Sequence, residues 1–187
     1  MKLKKFNFKN VNSTNDVAIR IIKSTNNKSG IIITKKQKKG RGQYGKKWTS
    51  YQGNLFVSIF FRIDKVNLTL QQITKINCLL VKKLLSLYYK KKISVKKPND
   101  LLINRRKISG ILQEKLTNSD ETYIIVGIGI NLIKSPFIIN YPTTNLYELT
   151  HIKFDRNKII ERLQKIYEKF IPKLYKINTE NIEKYII

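Results

Sequence analysis

The chain has 187 residues, 41% of them hydrophobic, and its 38 lysine and arginine residues outweigh 12 aspartate and glutamate residues to give a formal net charge of +26. This length fits one domain with a sizeable core, and the single cysteine, Cys78, excludes an internal disulfide and a cysteine-rich metal site. No apolar stretch approaches bilayer length and the amino terminus lacks the apolar segment of a signal peptide, so we expect a cytoplasmic protein without membrane contact.

Two explanations compete for the positive charge. Lysine and arginine side chains attract phosphate backbones, so a basic nucleic-acid-binding module is one interpretation. Lysine, asparagine and isoleucine are abundant along the entire chain, including places where no ligand requires them, which indicates a compositional bias. We therefore retain nucleic-acid binding only as an alternative function.

The first third of the chain predicts alternating strands and helix. Residues 6–11 are typical of a short strand, and Ser13-Thr14-Asn15 supplies capping side chains for a helix that runs to about Ile22. Residues 31–34 and 54–61 predict two more strands. The second of these is apolar on both faces, so we expect both of its faces to be covered.

The remainder predicts a long core helix over residues 68–89, a set of strands, and a helical carboxyl-terminal part over 150–187. The strands are joined by short polar turns and form an antiparallel meander of segments 93–95, 101–103, 107–116 and 122–132. Asp155 opens a helix to about Phe170, and a short final helical segment follows. These elements predict an α+β fold with a mixed, largely antiparallel sheet and helices packed on one face.

A glycine-rich basic loop, GRGQYG over residues 40–45, lies between two predicted strands. It matches G-x-G-x-x-G, but a dinucleotide-binding fingerprint requires a helix to begin there, and no HRD or DFG segment of a protein kinase is present. Glycines let backbone N–H groups approach an anion closely, and Arg41 offers a planar fork for a carboxylate or phosphate. Trp48 and Tyr44 are placed to close over a flat ring, although Trp48 is equally typical of a core anchor. A flexible surface loop is the remaining alternative.

Four segments in order resemble the catalytic domain of biotin protein ligases. The resemblance covers about residues 10 to 135 and rests on Ser13-Thr14-Asn15, the stretch from Gln37 through GRGQYGKKWTS, KPND (97–100) with KISGIL (107–112), and GIGIN (127–131). It implies the class II synthetase-like catalytic fold of biotin and lipoyl ligases. A lipoyl or octanoyl transferase of the same fold group is the alternative, disfavoured because its RRxSGGG-type segment is absent and the GRG loop is present.

The resemblance implies a reaction in two halves. Biotin and ATP, with Mg²⁺, give biotinoyl-5′-AMP and pyrophosphate, and a lysine of a biotin carboxyl carrier protein, a carboxylase subunit, then displaces AMP. Family members often form homodimers. Some carry an amino-terminal helix-turn-helix domain, for which this chain leaves no room before Ser13, so we expect no specific nucleic-acid partner. The carboxyl-terminal β-barrel of many members is expected to be absent or reduced, so that residues 1–187 form a single catalytic domain.

The same resemblance assigns site residues. For biotin they are Ser13, Thr14, Asn15, Gln37, Gly40, Arg41, Lys107, Gly110 and Gly127. For ATP and the adenylate they are Arg41, Gln43, Trp48, Asn99, Lys107 and Asn131. The expected catalytic residues are Lys107, Arg41 and Asp100, with the two cations offsetting the repulsion between the biotin carboxylate and the triphosphate. No metal-ligand set is predicted.

The chain departs from the family pattern at two positions. Gln43 stands where the family has arginine, and Lys97 stands where it has tryptophan. Glutamine retains hydrogen bonding but loses charge, so we expect a weaker hold on the adenylate.

Overall fold

The structure is a computed structural model in which residues 1–177 are described, and a seven-stranded mixed sheet lies at its centre. The order across the sheet is β1-β2-β3-β7-β6-β5-β4. The strands are β1 (Lys4–Val11), β2 (Ser29–Gln37), β3 (Leu55–Arg62), β4 (Ser94–Lys96), β5 (Asp100–Ile103), β6 (Arg106–Asn118) and β7 (Glu121–Ile130). The predicted final helical segment lies outside the described residues.

Four α-helices accompany the sheet within residues 1–177. They are α1 (Thr14–Ser24), α2 (Leu70–Leu85), α3 (Leu146–Thr150) and α4 (Arg156–Leu174). The cap predicted at Asp155 is confirmed, because its side chain accepts hydrogen bonds from the amides of Asn157 and Lys158. A capping box formed by Thr69 and Gln72 starts α2.

The connections explain the mixture of strand directions. Strands β1 and β2 are parallel and are joined through α1, whereas the other neighbouring strands are antiparallel. Strands β4 to β7 form the meander that the short polar turns predict. The α+β class and the mixed, largely antiparallel sheet are therefore confirmed.

The helices lie on both faces of the sheet, so the expectation of helices on one face is wrong. Ile59 of β3 belongs to the core that includes residues of α2 and α4, whereas the next residue, Phe60, packs with α1 residues such as Ala18 and Ile22. Successive side chains of a strand point to opposite faces. Both faces of β3 are apolar, so each face must be buried by helices. Helices α2 and α4 pack on one face, and α1, in the parallel β1-α1-β2 connection, packs on the other.

Cys78 is a core residue, as its segment predicts. Its side chain is fully buried on α2. Burial first, and the charge of Asp100 second, raise the pKa of the thiol to about 12, so it stays protonated and unreactive at neutral pH. No helix among the described residues has the length and apolar character needed to cross a bilayer.

Candidate active site

A cavity of about 850 Å³ opens where β6 and β7 meet the glycine-rich loop, the start of α1, the 97–100 turn and residues 136–143. It gathers nearly all of the predicted site residues. Those that line it are Ser13, Thr14, Asn15, Gln37, Arg41, Gln43, Trp48, Asn99, Asp100, Lys107, Gly110, Gly127 and Asn131. Gly40 is not among the described residues that line the cavity. Gly40 is buried beneath the loop, where its carbonyl accepts the Trp48 amide at 2.9 Å.

The start of α1 is held by Gln37 rather than by a conventional cap. Gln37 Oε1 accepts the Thr14 amide at 2.8 Å and lies 3.1 Å from Thr14 Oγ1. Ser13 occupies the N-cap position, but in the described structure its side chain makes no capping hydrogen bond. The capping interpretation is therefore wrong at Ser13, and the first amide of the helix, that of Thr14, donates to a side chain from the end of β2. The buried Ser13 side chain faces the cavity instead.

Asn15 connects α1 to the centre of the sheet. Its Nδ2 group donates to the Leu112 carbonyl at 3.2 Å and to Glu114 Oε2 at 2.6 Å, and its Oδ1 accepts from the Ser58 hydroxyl. A Cβ atom at Gly127 would lie 2.4 Å from Asn15 Oδ1. Only glycine therefore lets Asn15 approach β7 this closely.

Arg41 faces two carboxylates. Its guanidinium forms a two-pronged pair with Glu114, at 2.9 and 2.8 Å, and lies 2.7 Å from Asp16. Partial burial lowers the pKa of Arg41, but the hydrogen bonds and charges of Glu114 and Asp16 outweigh it and raise that pKa above its usual value. Arg41 therefore links the glycine-rich loop to β6 through Glu114 and to α1 through Asp16. Its guanidinium is already paired with two carboxylates before an anionic ligand binds.

Lys107 and Asp100 form the second charged group. Lys107 Nζ lies 2.8 Å from Asp100 Oδ1, and both side chains are mostly buried. The other carboxylate oxygen, Asp100 Oδ2, accepts a hydrogen bond from the Tyr141 hydroxyl at 2.6 Å. Lys107 Nζ also lies 5.3 Å from the centre of the Trp48 ring, within the range of a cation–π contact.

The Trp48 indole lies flat against a pair of glycines. Gly110 of β6 and Gly129 of β7 are partners across the two strands, and Cβ atoms there would lie 2.7 and 2.4 Å from the indole. The indole Nε1 is buried and has no hydrogen-bond partner among the described residues. Trp48 therefore forms a wall of the cavity, which agrees with the ring-binding interpretation better than with a core anchor.

Three side chains that contact predicted site residues were not predicted. Ser58 lies in the middle of an apolar strand, Glu114 in the longest strand, and Tyr141 in the irregular stretch after β7. Each contacts a predicted residue that is more than 40 positions away in the sequence. No local pattern marks them, and only the folded arrangement identifies them.

The fold and the cavity together define the catalytic domain of biotin protein ligases. The chain superimposes on the biotin protein ligase from Aquifex aeolicus in complex with biotin and ATP with a TM-score of 0.82 and 28% sequence identity, covering 98% of this chain and 76% of that one. The model of the Biotin/lipoate A/B protein ligase family matches residues 7–131, and the chain belongs to this family. The resemblance found in the sequence is thereby confirmed.

Curated relatives agree with this assignment. The bifunctional ligase/repressor BirA of Escherichia coli is 32% identical over 142 residues, which are 73% of this chain and 44% of that protein. The biotin–[acetyl-CoA-carboxylase] ligase of Paracoccus denitrificans is 29% identical over 127 residues, 66% of this chain and 52% of that protein. The chain thus spans about half the length of the curated relatives it matches. Plasmodium falciparum LipL1 in complex with lipoate shares the fold alone, at a TM-score of 0.59 and 14% identity over 97% of this chain and 71% of that one.

Proposed function

We propose that this protein is an ATP-dependent biotin ligase. It activates biotin as biotinoyl-5′-AMP and transfers the biotinoyl group to a lysine of the biotin carboxyl carrier protein of a carboxylase. The observation that carries the proposal is that Lys107, Asp100 and Trp48 line one cavity in a chain of this family. The relative from Aquifex aeolicus, with biotin and ATP bound, supports these two molecules as the substrates.

Adenylation joins two anions. An oxygen of the biotin carboxylate attacks the α-phosphorus of ATP, a carboxyl–phosphate bond forms, the bond to the bridging oxygen breaks, and pyrophosphate leaves with the electron pair. Two like unit charges about 4 Å apart repel by roughly 4 kcal/mol at an effective dielectric constant of about 20. Lys107, inside the cavity, offsets this repulsion. Arg41 contributes by holding the glycine-rich loop over the reactants through Glu114 and Asp16.

Mg²⁺ is expected to arrive with the nucleotide. Residues 1–177 contain no group of three or more His, Cys, Asp or Glu side chains arranged to hold a metal ion. Asp100, a carboxylate that lines the cavity, is already engaged by Lys107 and Tyr141. This donor set fits an ion held mainly by phosphates and water. When bound, such an ion would supply positive charge that offsets the charge of the phosphates.

The test is biotin-dependent exchange of labelled pyrophosphate into ATP, run with biotin and lipoate side by side. We expect exchange with biotin and little with lipoate. A lipoyl ligase gives the opposite preference. A basic nucleic-acid-binding module gives no exchange with either acid and binds nucleic acid with a steep dependence on salt concentration. Either of those results would contradict the proposal.

The uncharged Gln43 predicts that the enzyme retains biotinoyl-AMP only weakly. Gln43 lines the cavity but carries no charge, so without carrier protein the enzyme should release biotinoyl-AMP or hydrolyse it, and AMP should accumulate. Gln43→Arg is expected to lower this carrier-independent AMP production about tenfold, the value of one charged hydrogen bond. AMP formed from labelled ATP is the measurement.

The matched control is Gln52→Arg, which adds the same charge at an exposed position outside the cavity lining. It should leave AMP production unchanged. If wild-type protein produces neither AMP nor free biotinoyl-AMP in the absence of carrier protein, the prediction is contradicted. There would then be no loss of adenylate for the substitution at position 43 to reduce.

A further inference from the structure

The positive charge of the chain is unevenly distributed. Residues 1–63 contain 15 lysine and arginine residues and one acidic residue, Asp16, whereas residues 64–187 contain 23 basic and 11 acidic residues. Asp16 is paired with Arg41, so it offsets an arginine rather than a lysine. A compositional bias explains an excess of lysine along the whole sequence, but it does not explain the near absence of acidic residues from one third. This asymmetry points to a binding role for the surface that residues 1–63 form.

Five exposed lysines lie together where the parallel strands β1 and β2 end. The pairing of Asn10 with Lys36 aligns the ends of the two strands, and the Lys38 amide donates to the Val11 carbonyl at 2.8 Å. Neighbouring strands are about 4.8 Å apart, so residues at paired positions are close neighbours. We call this group the lysine strip, and its members are Lys9, Lys35, Lys36, Lys38 and Lys39.

The lysine strip borders the cavity of the candidate active site. Gln37 follows Lys36 directly, and it lines the cavity. Ser13, the N-cap residue of α1, comes two residues after the end of β1 and lines the cavity as well. Lys46 and Lys47, which follow the glycine-rich loop, are exposed and belong to the cavity lining, so they continue the positive charge to the mouth. A partner bound to the strip would therefore lie beside the opening.

No ion pair inside the described part of the protein accounts for the strip. Among residues 1–177, none of its five lysines forms a salt bridge with a carboxylate. Lysines on an edge strand also discourage the addition of another strand, but only Lys9 lies on the edge strand β1. Lys35 and Lys36 belong to β2, which is inside the sheet. The charge of the strip is therefore available to a partner.

The acceptor of the proposed reaction determines the kind of partner. An acceptor lysine approaches as an ammonium group, and a protein with a formal net charge of +26 repels it. A carrier domain that surrounds this lysine with carboxylates reverses the sign of the interaction, and opposite charges speed the encounter of two proteins. Nucleic acid is the competing polyanion. The position of the strip beside the cavity favours the carrier, because the biotinoyl group activated in the cavity must pass to it.

We propose that the lysine strip is the docking surface for a carboxylate-rich face of the carrier domain and guides the acceptor lysine to the mouth of the cavity. This inference rests on the proposed function and adds to it the surface that selects the protein substrate. The strip lies outside the cavity lining, so it acts on the association of carrier and enzyme. It leaves the formation of biotinoyl-AMP unchanged.

The experiment reverses three charges of the strip in one protein, with Lys36→Glu, Lys38→Glu and Lys39→Glu. The substrate is a biotin carrier domain of a carboxylase whose acceptor lysine is flanked by carboxylates, and kcat/KM for this domain is measured at low and at high ionic strength. We expect a fall of about 10- to 100-fold at low ionic strength, within the range that electrostatic steering supplies. At high ionic strength the difference from wild type should become small, since salt screens exposed charges.

The matched control carries Lys90→Glu, Lys91→Glu and Lys92→Glu. These exposed lysines lie outside the cavity lining and precede β4, at the opposite edge of the sheet from β1. The control therefore undergoes the same change in net charge away from the strip, and its carrier transfer should remain close to that of wild type. Biotin-dependent pyrophosphate exchange needs no carrier and should be unchanged in both variants.

The proposal is overturned if the strip variant keeps the wild-type kcat/KM for the carrier, or if both variants fall equally, which reflects net charge alone. Loss of pyrophosphate exchange in the strip variant also overturns it, because the cavity itself is then damaged. A strip variant that loses binding of duplex DNA but transfers biotin at the wild-type rate assigns the surface to nucleic acid instead. Absence of biotin-dependent exchange in wild-type protein is seen without any carrier, and it overturns the proposed function together with this inference.

Discussion

Replacement of Lys107 by alanine is expected to abolish biotin-dependent pyrophosphate exchange. Lys107 lines the cavity from β6, and it is more deeply buried than Arg41, with 19% of its side chain exposed against 40%. A repulsion of roughly 4 kcal/mol between the two reacting anions would then lose the compensation that Lys107 supplies. This corresponds to a fall of about 10³-fold in rate, because each 1.4 kcal/mol is a factor of ten.

The fold should survive this change. Asp100 keeps the hydrogen bond from Tyr141, and the apolar cores on the two faces of the sheet contain no atom of Lys107. Circular dichroism and thermal unfolding check the fold, and exchange of labelled pyrophosphate checks the activity. Lys115→Ala provides the control, since Lys115 is an exposed lysine on the same strand. Exchange at the wild-type rate in the Lys107 variant would remove that residue from the mechanism.

The strands and long helices were predictable because their signals are local. Alternation of apolar residues marks β3, and apolar residues at helical spacing mark α2, so both appear in the structure within a few residues of their predicted bounds. The face on which each helix packs is not a local property. It depends on whether the chain crosses over the sheet, and the parallel pairing of β1 with β2 decides this for α1. The short helix α3 was also missed, because five residues are too few for a periodic pattern.

The residues of the site also divide into those that a local motif predicts and those that only the folded arrangement identifies. Gly110, Gly127, Lys107 and Asp100 were predictable because they stand in ordered motifs, and the structure gathers them in one cavity. Glu114 and Tyr141 were not predictable, because their partners lie 73 and 41 positions away and neither residue type is unusual where it occurs. These two side chains fix the groups that the motifs supply. Family motifs therefore reveal the residues that meet the substrates better than the residues that position them.

The pairing of Arg41 with Glu114 and Asp16 changes the expected role of that arginine. From the sequence, Arg41 and Lys107 are equivalent cations for the same pair of anions. In the structure Arg41 contacts two carboxylates, whereas Lys107 contacts one, and the Arg41 pairs connect three elements of the fold. A cation beside two carboxylates attracts a further anion only weakly, because the charges of the carboxylates repel that anion. The geometry therefore favours Lys107 for charge compensation and Arg41 for closure of the glycine-rich loop.

The second large effect is expected at Gly129. A Cβ atom there would lie 2.4 Å from two carbons and 2.8 Å from Nε1 of the Trp48 indole, distances that side-chain carbons do not tolerate. Gly129→Ala should therefore push the indole out of its place in the cavity wall. Misplacement of a wall by about 1 Å costs on the order of 10²-fold in rate, so we expect pyrophosphate exchange to fall by at least that factor. Trp48 is the only tryptophan of the chain, so its fluorescence emission should shift to longer wavelength as the indole meets water.

A double-variant cycle separates this clash from a general defect of β7. If the added methyl group acts through the indole, Gly129→Ala should lower the free energy of unfolding by about 1–3 kcal/mol in the wild-type background, the usual cost of overpacking. In a Trp48→Ala background the same substitution should cost almost nothing, because the atoms it would strike are gone. Denaturant unfolding of the four proteins measures the coupling. An equal loss of stability in both backgrounds, or unchanged emission and exchange in Gly129→Ala, would show that the indole does not lie on the glycine pair in solution.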